Sequence, residues 1–216
     1  MMFSAPPEQQ LEWSDSGVEG AHRFIKKLWN TVHRHVESIG TVKINSLNAV
    51  STEQKELRRK LHETLSKVID VMEYKLNFNT AISSVMELIN TYSKFKVNSE
   101  TDREIAQDVL EHAVIMLSPI IPHVTHVLWR VLGHEKALIT EAWPQVDHLA
   151  MVPDTVTIAV QVNGKLRAQH LTSLNTSESL IKDSVFGLKE VKKHIDGKNV
   201  KRTVIIPNKL VNIVTD

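Results

Sequence analysis

Residues 155–171 read TVTIAVQVNGKLRAQHL, and the hydrophobic pattern of the chain changes at this stretch. Valine or isoleucine occupies every second position from Val156 to Val162, which is the period of a half-buried β-strand. Asn163-Gly164 comes next and favours a type I′ turn, because both positions of that turn require positive φ. The stretch therefore predicts a β-hairpin.

The tip of this hairpin is basic. Lys165 and Arg167 alternate with Leu166, so both are predicted on the side of the sheet that faces away from the core. Residues 1–150 hold 16 Lys+Arg and 19 Asp+Glu, a net charge of −3, whereas residues 151–216 hold 10 and 6, a net charge of +4. A basic C-terminal part on a slightly acidic body favours a polyanion as partner, although four extra charges are also ordinary for a small domain.

The rest of the C-terminal part has the same mixed character. Residues 177–195, SESLIKDSVFGLKEVKKHI, predict one or two short helices that end at Asp196-Gly197. Residues 200–216, VKRTVIIPNKLVNIVTD, predict a second hairpin that turns at Pro207-Asn208.

Upstream, apolar residues recur at helical spacing and predict a bundle of five amphipathic helices. The second helix begins with a capping box at Ser51-Thr52-Glu53-Gln54, and the first with one at Ser16-Gly17-Val18-Glu19, before a stop at Gly40. Asn98 or Thr101 is predicted to cap the fourth. The predicted buried stripes are Phe24, Leu28, Val32 and Val36; Leu57, Leu61, Leu65, Val68 and Met72; Ala81, Val85, Leu88 and Tyr92; and Ile105, Val109, Ala113 and Met116.

Two prolines predict a break between the fourth and fifth helices. Pro119 ends the fourth helix, Pro122 suits the first turn of the fifth, and Gly133 ends it. We therefore predict a mainly α-helical bundle over residues 16–143, a linker over 144–154, and a small α+β domain with two β-hairpins over 155–216.

Several classes of protein are disfavoured by composition and motifs. The chain has no cysteine, no apolar run near 18 residues and no signal-peptide pattern at its start, which fits a cytoplasmic protein without a membrane span. No His-Glu-x-x-His, glycine-rich phosphate loop or Gly-x-Ser-x-Gly is present. His123 and His126 could share a helix face, but His123 is predicted to be bonded within the bundle. The sequence therefore predicts neither a catalytic nor a metal site.

Four blocks carry a family resemblance: GVEGAHRFIKKLWN at 17–30, FNTAISSVMELIN at 78–90, LSPIIPHVTHVLW at 117–129 and VQVNGKLRA at 160–168. In this order they resemble the C-terminal part of bacterial leucyl-tRNA synthetases, a class I family, over essentially the whole chain. The Pro-x-x-Pro-His helix is shared with the isoleucine, valine and methionine enzymes. VQVNGKLRA after such a bundle is more specific to the leucine family.

The resemblance implies an anticodon-binding type of bundle, with residues 1–15 as the tail of a catalytic or stem region. The family's catalytic signatures, His-Ile-Gly-His and Lys-Met-Ser-Lys-Ser, and its editing insertion are absent from the sequence. Leucine activation with ATP and Mg²⁺ is therefore expected on a separate catalytic core, and no cofactor on this chain. The expected partner is tRNA(Leu), bound by a monomer.

By the same resemblance, the bundle contacts the tRNA backbone, and the tethered C-terminal domain contacts the tRNA elbow. RNA of this kind is recognised by shape, phosphates and splayed bases. Trp29 and Trp129 are predicted to be core residues. The expected contacts are Lys165, Arg167, Lys192, Lys193, Lys198, Lys201 and Arg202 in the C-terminal domain, and Arg58 and Arg59, together with Lys26, Lys27, Arg34 and Lys60, in the bundle.

Three alternatives stay open. The first is a free-standing tRNA-binding protein without catalysis. The second is a protein-interaction module whose basic domain binds an acidic partner. The third, an unrecognised enzyme, is disfavoured because no nucleophile–base pair is visible.

Overall fold

All five predicted helices of the bundle form in the computed structural model, which describes residue 3 and residues 14–45, 47, 49–174 and 176–216. The chain divides into two compact units, Met1–Val152 and Pro153–Asp216, here called unit 1 and unit 2. Unit 1 holds α1 (Asp15–Ile39), α2 (Thr52–Glu73), α3 (Phe78–Tyr92), α4 (Glu100–Leu117), α5 (Pro122–Val131) and a 3₁₀ turn (Leu138–Thr140).

Helix starts follow the capping chemistry, but at two of the predicted sites the cap lies elsewhere. The Ser51–Gln54 capping box on α2 is confirmed in both of its hydrogen bonds. The α1 cap is Ser14, whose Oγ accepts the N–H of Gly17 at 3.2 Å, so the helix begins earlier than the predicted cap at Ser16. Both serines have suitable spacing, and the helix takes the earlier one.

The cap of α4 is Ser99 instead of Asn98 or Thr101. Its Oγ accepts the N–H of Asp102 at 3.1 Å, and the Asp102 carboxylate accepts the N–H of Ser99 at 2.9 Å. This second capping box uses an aspartate at its third helical position. The same carboxylate also accepts a bond from Gln54 at 2.7 Å, which joins the starts of α2 and α4.

The predicted break between α4 and α5 is confirmed, with Pro122 in the first turn of α5. Gly40 follows α1 at φ 82°, and Gly133 follows α5 at φ 100°. A side chain at Gly133 would be strained by its φ and would also meet Cγ2 of Thr41 at 2.9 Å. This glycine lets the end of α5 lie against the segment that follows α1.

The predicted stripes form the core of unit 1. One residue that was predicted to be core is not: Trp29 is 37% exposed, whereas Trp129 is 4% exposed. Trp29 lies on the side of α1 away from the buried stripe and stacks on His33, with ring centroids 4.6 Å apart. Fully buried members of the core include Leu28, Leu61, Leu65, Leu88, Ile105, Leu110 and Leu128.

Residues 144–152, predicted to be part of a linker, are built into unit 1. The N–H of Asp147 donates to Nδ1 of His62 at 3.2 Å, and the Asp147 carboxylate accepts the N–H groups of Leu149 and Ala150. That carboxylate also forms an ion pair with Arg58 at 3.2 Å. The partners of Asp147 lie 85 and 89 residues away in sequence, and contacts at such separations cannot be predicted from the local sequence pattern.

Unit 2 contains the predicted two hairpins separated by two helices. Its elements are β1 (Thr155–Val162), β2 (Lys165–Ser173), α6 (Glu178–Gly187), α7 (Lys189–Ile195), β3 (Val200–Ile206) and β4 (Leu210–Thr215). The strands form one sheet in the order β2-β1-β4-β3, in which both hairpins are antiparallel and β1 pairs with β4 in parallel. The two central strands are thus the first and the last in sequence.

The core of unit 2 lies on one side of this sheet. Alternate residues of β1 and β4 are buried there, and the two helices supply the other half of the core. The predicted turn at Pro207-Asn208 is confirmed, with Asn208 at φ 58°. The buried core residues are Ile158, Val160, Val162, Ile181, Val185, Val191, Val211 and Ile213.

Candidate nucleic-acid interface

The turn at the tip of the first hairpin is held by the last strand. Asn163 and Gly164 have φ of 51° and 76°, which confirms the predicted positive values. The Asn163 side chain accepts the N–H of Thr215 at 2.9 Å and donates to its Oγ1 at 3.0 Å. The N–H of Gly164 donates to Oδ1 of Asn212 at 3.1 Å. The tip is therefore fixed to β4 by side-chain bonds across about fifty residues of sequence.

A β-bulge lies just beyond the tip, and it changes the predicted side-chain directions. Val160 is opposite Ala168 and Gln161 is opposite Leu166, so Arg167 has no opposing residue. An extra residue on one strand reverses the alternation beyond it. Leu166 therefore shares the side of Gln161, away from the core, and is 56% exposed. Lys165 is opposite Val162 and so shares the side of that buried residue, which means that the prediction that Lys165 faces away from the core was wrong. The periodic pattern of the sequence does not reveal a bulge.

The sheet register brings the basic residues at the starts of β2 and β3 to one end of the sheet. The 163–164 turn, the end of β4 and the start of β3 lie side by side, since Val162 pairs with Ile213 and Val200 with Thr215. β2 and β3 are the two edges, about 14 Å apart at ~4.8 Å per strand. We call this group the basic end: Lys165, Arg167, Lys192, Lys193, Lys198, Lys201 and Arg202 are its members, and all seven are exposed.

His194 reports how close some of these charges are. Partial burial, and then the positive charges of Arg167, Lys198 and Lys193, hold the pKa of His194 below its usual value. α7 packs against β1 and β2, which carries its cations toward Arg167. His194 was not among the residues predicted from the sequence, although it follows Lys192 and Lys193 directly.

The charges of the basic end are not paired with carboxylates in the part of the chain that the structure describes. Among the residues that the structure describes, none of its seven members forms an ion pair with an acidic side chain. A surface of this kind attracts a polyanion through unpaired charge, and it can exchange counterions for phosphates.

Three of the predicted contacts in unit 1, Arg58, Arg59 and Lys60, are less available than the exposed Lys26, Lys27 and Arg34. Besides its ion pair with Asp147, Arg58 donates to the carbonyl oxygen of Leu47 at 2.8 Å, and only 16% of its side chain is exposed. Arg59 is half-buried. Lys60 forms an ion pair with Glu87 at 2.9 Å. The guanidinium of Arg58 therefore holds residues 144–152 in place. The helical spacing of charges in the sequence does not predict this role.

The buried polar groups of unit 1 form a structural network. His35 Nδ1 contacts the hydroxyl of Tyr92 at 3.1 Å, and its Nε2 contacts Oε1 of Gln107 at 2.9 Å. Gln107 donates on to Glu111 at 2.8 Å, and His134 also contacts Glu111 at 2.8 Å. Burial lowers the pKa of His35, against the bond to Gln107, and burial raises the pKa of Tyr92 to about 12.

Within the described part of the chain, no three His, Cys, Asp or Glu side chains are placed to hold a metal ion. His123 and His126 are both exposed, so the prediction that His123 is bonded within the bundle was wrong. No helix among the described residues is long and apolar enough to cross a membrane.

The chain is similar to known proteins over its whole length. Residues 54–182 match the family described as the anticodon-binding domain of tRNA ligase. The chain is 46% identical to the leucine–tRNA ligase of Chromohalobacter salexigens and 48% identical to that of Alcanivorax borkumensis, in each case over all of its own length. It spans about a quarter of these relatives, 25% and 26% of their lengths.

A solved structure shares the fold. The ternary complex of Agrobacterium radiobacter K84 agnB2 LeuRS with tRNA and LeuAMS aligns with a TM-score of 0.72 at 23% identity, over 100% of this chain and 27% of that one. The chain therefore belongs to the family of anticodon-binding domains of tRNA ligases and corresponds to the C-terminal region of leucine–tRNA ligases, as the sequence resemblance predicted.

Proposed function

We propose that this chain is the tRNA-binding portion of a leucine–tRNA ligase. It holds tRNA(Leu) by its backbone and elbow while aminoacylation takes place on a catalytic part outside these 216 residues. The observation that carries the proposal is the basic end of unit 2, where seven exposed cations meet at one end of a sheet. ATP and Mg²⁺ act at the catalytic part, and the chain works as a cytoplasmic monomer.

The chemistry of the basic end suits phosphates better than base edges. Five of its seven members are lysines, which bind phosphate as point charges, and Arg167 and Arg202 can fork to phosphate or stack on a base. Their spread over about three strand spacings fits a folded RNA surface better than a single phosphate. The family match and the tRNA-containing structural neighbour support RNA over an acidic protein as the polyanion.

The rigid turn explains how such a surface is kept in place. Asn163 and Gly164 fix the start of β2 to β4, so Lys165 and Arg167 are held at the same end of the sheet as the start of β3 without a ligand. A pre-organised surface loses less conformational entropy on binding.

The test is binding of the chain to leucine-accepting tRNA over a salt series. Lys165→Ala/Arg167→Ala removes two cations from the basic end, and Lys182→Ala/Lys209→Ala removes two from elsewhere in unit 2. We expect the first pair to reduce the slope of log K against log salt by roughly 1.5, at about 0.7–0.9 per phosphate contact. The control pair should leave the slope unchanged.

Two results would count against the proposal. One is no binding to tRNA at moderate salt. The other is equal binding to any polyanion, such as polyglutamate or heparin, which would favour the protein-interaction alternative.

A further inference from the structure

The Asn163-Gly164 turn is chemically labile as well as structurally required. It is the single Asn-Gly pair in the sequence, and asparagine is among the thermolabile residues. Once its N–H is deprotonated, the backbone nitrogen of the following residue can attack the asparagine side chain, and a glycine there leaves the approach open because it has no Cβ. The type I′ turn requires positive φ at both positions, so the hairpin depends on this pair in spite of its lability.

The reaction at this pair has two steps. In the first, the nitrogen of Gly164 bonds to Cγ of Asn163, the bond from Cγ to Nδ2 breaks, and Nδ2 leaves as ammonia with the proton that Gly164 gave up. The product is a cyclic imide. In the second step, water adds to one of the two imide carbonyl carbons and breaks its bond to nitrogen. Residue 163 becomes aspartate or isoaspartate, according to which carbonyl is attacked.

Residues of β4 are bonded to both reacting groups. The N–H of Gly164 donates to Oδ1 of Asn212 at 3.1 Å, so loss of the proton breaks this bond. Nδ2 of Asn163 donates to Oγ1 of Thr215 at 3.0 Å, so departure of ammonia breaks this one. Oδ1 of Asn163 accepts the N–H of Thr215 at 2.9 Å, which restrains the carbonyl that is attacked. Attack needs both reacting groups free to take up one geometry, and these three bonds oppose it.

We propose that Asn163 is a deamidation site that the folded sheet keeps unreactive, with Asn212 restraining the attacking N–H and Thr215 the departing amide. Asn163 and Gly164 are both exposed, so water reaches them and the protection comes from hydrogen bonds instead of burial. Only opening of β4 releases all three bonds together. The rate of deamidation therefore follows the population of chains in which β4 is open.

The two products differ in what they do to the turn. Aspartate keeps an oxygen that can accept from the N–H of Thr215, so the turn survives with one added negative charge two residues from Lys165. Isoaspartate adds a main-chain carbon at a turn whose dihedral angles and bonds to β4 are fixed, so it also disrupts the turn. Either product lowers the net positive charge of the basic end.

The test follows deamidation of the full chain in mildly alkaline buffer by the mass of the tryptic peptide 137–165, whose one asparagine is Asn163. Asn212→Ala removes the acceptor of the Gly164 N–H, Asn212→Asp keeps an acceptor, and Asn199→Ala makes the same deletion at an exposed asparagine of unit 2. We expect Asn212→Ala to react roughly three- to ten-fold faster than the unsubstituted chain, the factor for one hydrogen bond. The other two variants should react at the unsubstituted rate.

Hydrogen exchange in residues 210–216 separates loss of this bond from general opening of unit 2. Val191→Ala, in the core of unit 2, keeps the bond and should accelerate deamidation and exchange by the same factor. Asn212→Ala should accelerate deamidation by a larger factor than exchange. Equal factors for Asn212→Ala would overturn the role assigned to Asn212. Equal deamidation rates for the folded and the urea-unfolded unsubstituted chain would overturn protection by the fold.

Deamidation is measured without RNA, so this inference and the proposed function can fail separately. Its consequence for RNA rests on the proposed function: the deamidated chain should bind tRNA with a salt slope lower by roughly 0.7–0.9, as for one phosphate contact. An unchanged slope overturns that consequence. Absence of tRNA binding by the unsubstituted chain overturns the proposed function, whereas the deamidation rates decide the site by themselves.

Discussion

Replacing Asn163 by alanine removes the side chain that fixes the first hairpin turn to β4. Two bonds are lost, the one accepted from the N–H of Thr215 at 2.9 Å and the one donated to its Oγ1 at 3.0 Å. Thr215 is only 7% exposed, so its N–H is left without a partner in a buried place. Alanine must also adopt the positive φ of 51° that asparagine tolerates.

The magnitude follows from these two terms. Two hydrogen bonds contribute about 2 kcal/mol together, and a left-handed alanine costs about 1 kcal/mol more. We therefore expect Asn163→Ala to lower the free energy of unfolding of unit 2 by about 3 kcal/mol. Asn163→Gly keeps the backbone freedom and should cost about 2 kcal/mol, and Asn163→Asp, which can still accept from Thr215, less than ~1 kcal/mol. A domain of this size has roughly 3–10 kcal/mol in total.

The chain offers an internal control for the assay. All four tryptophans precede residue 153, so tryptophan emission during urea unfolding reports on unit 1. Hydrogen exchange of the β4 peptide, residues 210–216, reports on unit 2. The variants should accelerate exchange in β4 in the order alanine, glycine, aspartate, and leave the emission midpoint unchanged. The reasoning is refuted if the free energy of opening of β4 in Asn163→Ala lies within about 0.5 kcal/mol of its value in the unsubstituted chain. It is also refuted if Asn163→Gly destabilises unit 2 more than Asn163→Ala does.

Three further perturbations test other parts of the structure. Asp147→Ala removes the ion pair of half-buried Arg58 and should destabilise unit 1 by about 1–2 kcal/mol. Proteolysis within residues 144–152 should become faster, and an unchanged rate would mean that other contacts hold this segment. His35 folds as the neutral form with a lowered pKa, so its contribution to stability is complete above pH 6.5 and is lost as the pH falls through 6.5 toward the folded pKa. His35→Gln should therefore make the urea midpoint of tryptophan emission fall less steeply between pH 7.5 and 5, and an equally steep fall contradicts this. Val191→Ala, in the core of unit 2, should lower the free energy of unfolding of unit 2 by about 2 kcal/mol, measured by hydrogen exchange in β4. A shift of the tryptophan emission midpoint without faster exchange in β4 would contradict the assignment of Val191 to unit 2.

Features set by nearby residues were predictable from the sequence. The Asn163-Gly164 turn needs positive φ at both positions, and few other residue pairs supply it, so the hairpin followed directly. The Ser51–Gln54 capping box was equally local. Ser14 and Ser99 show the limit, because several nearby polar residues can cap a helix and packing decides among them.

Features that join distant parts of the chain were not predictable. Asp147 meets Arg58 across 89 residues, and no pattern around either residue indicates the other. The bulge at Arg167 was not predicted, because the alternation of side chains looks the same in either register. Trp29 was wrongly predicted to be a core residue, although it lies outside the buried stripe of α1. The resemblance predicted the cations of the basic end as contacts but not their arrangement, and the parallel pairing of β1 with β4 is what brings the start of β2 and the start of β3 to one end of the sheet.

The position of β4 also governs the order in which unit 2 can be made. This strand is the last of unit 2 to be synthesised, yet it lies between β1 and β3, and its residues form the side-chain bonds that fix the first turn. On a growing polypeptide the helices of unit 1, whose contacts are mostly between successive elements, can pack early. The first hairpin must wait with one edge unpaired until residues 210–215 arrive, and long-range closure of this kind is slow. A ribosome that stops within β4 would therefore release a folded unit 1 joined to a unit 2 that cannot assemble.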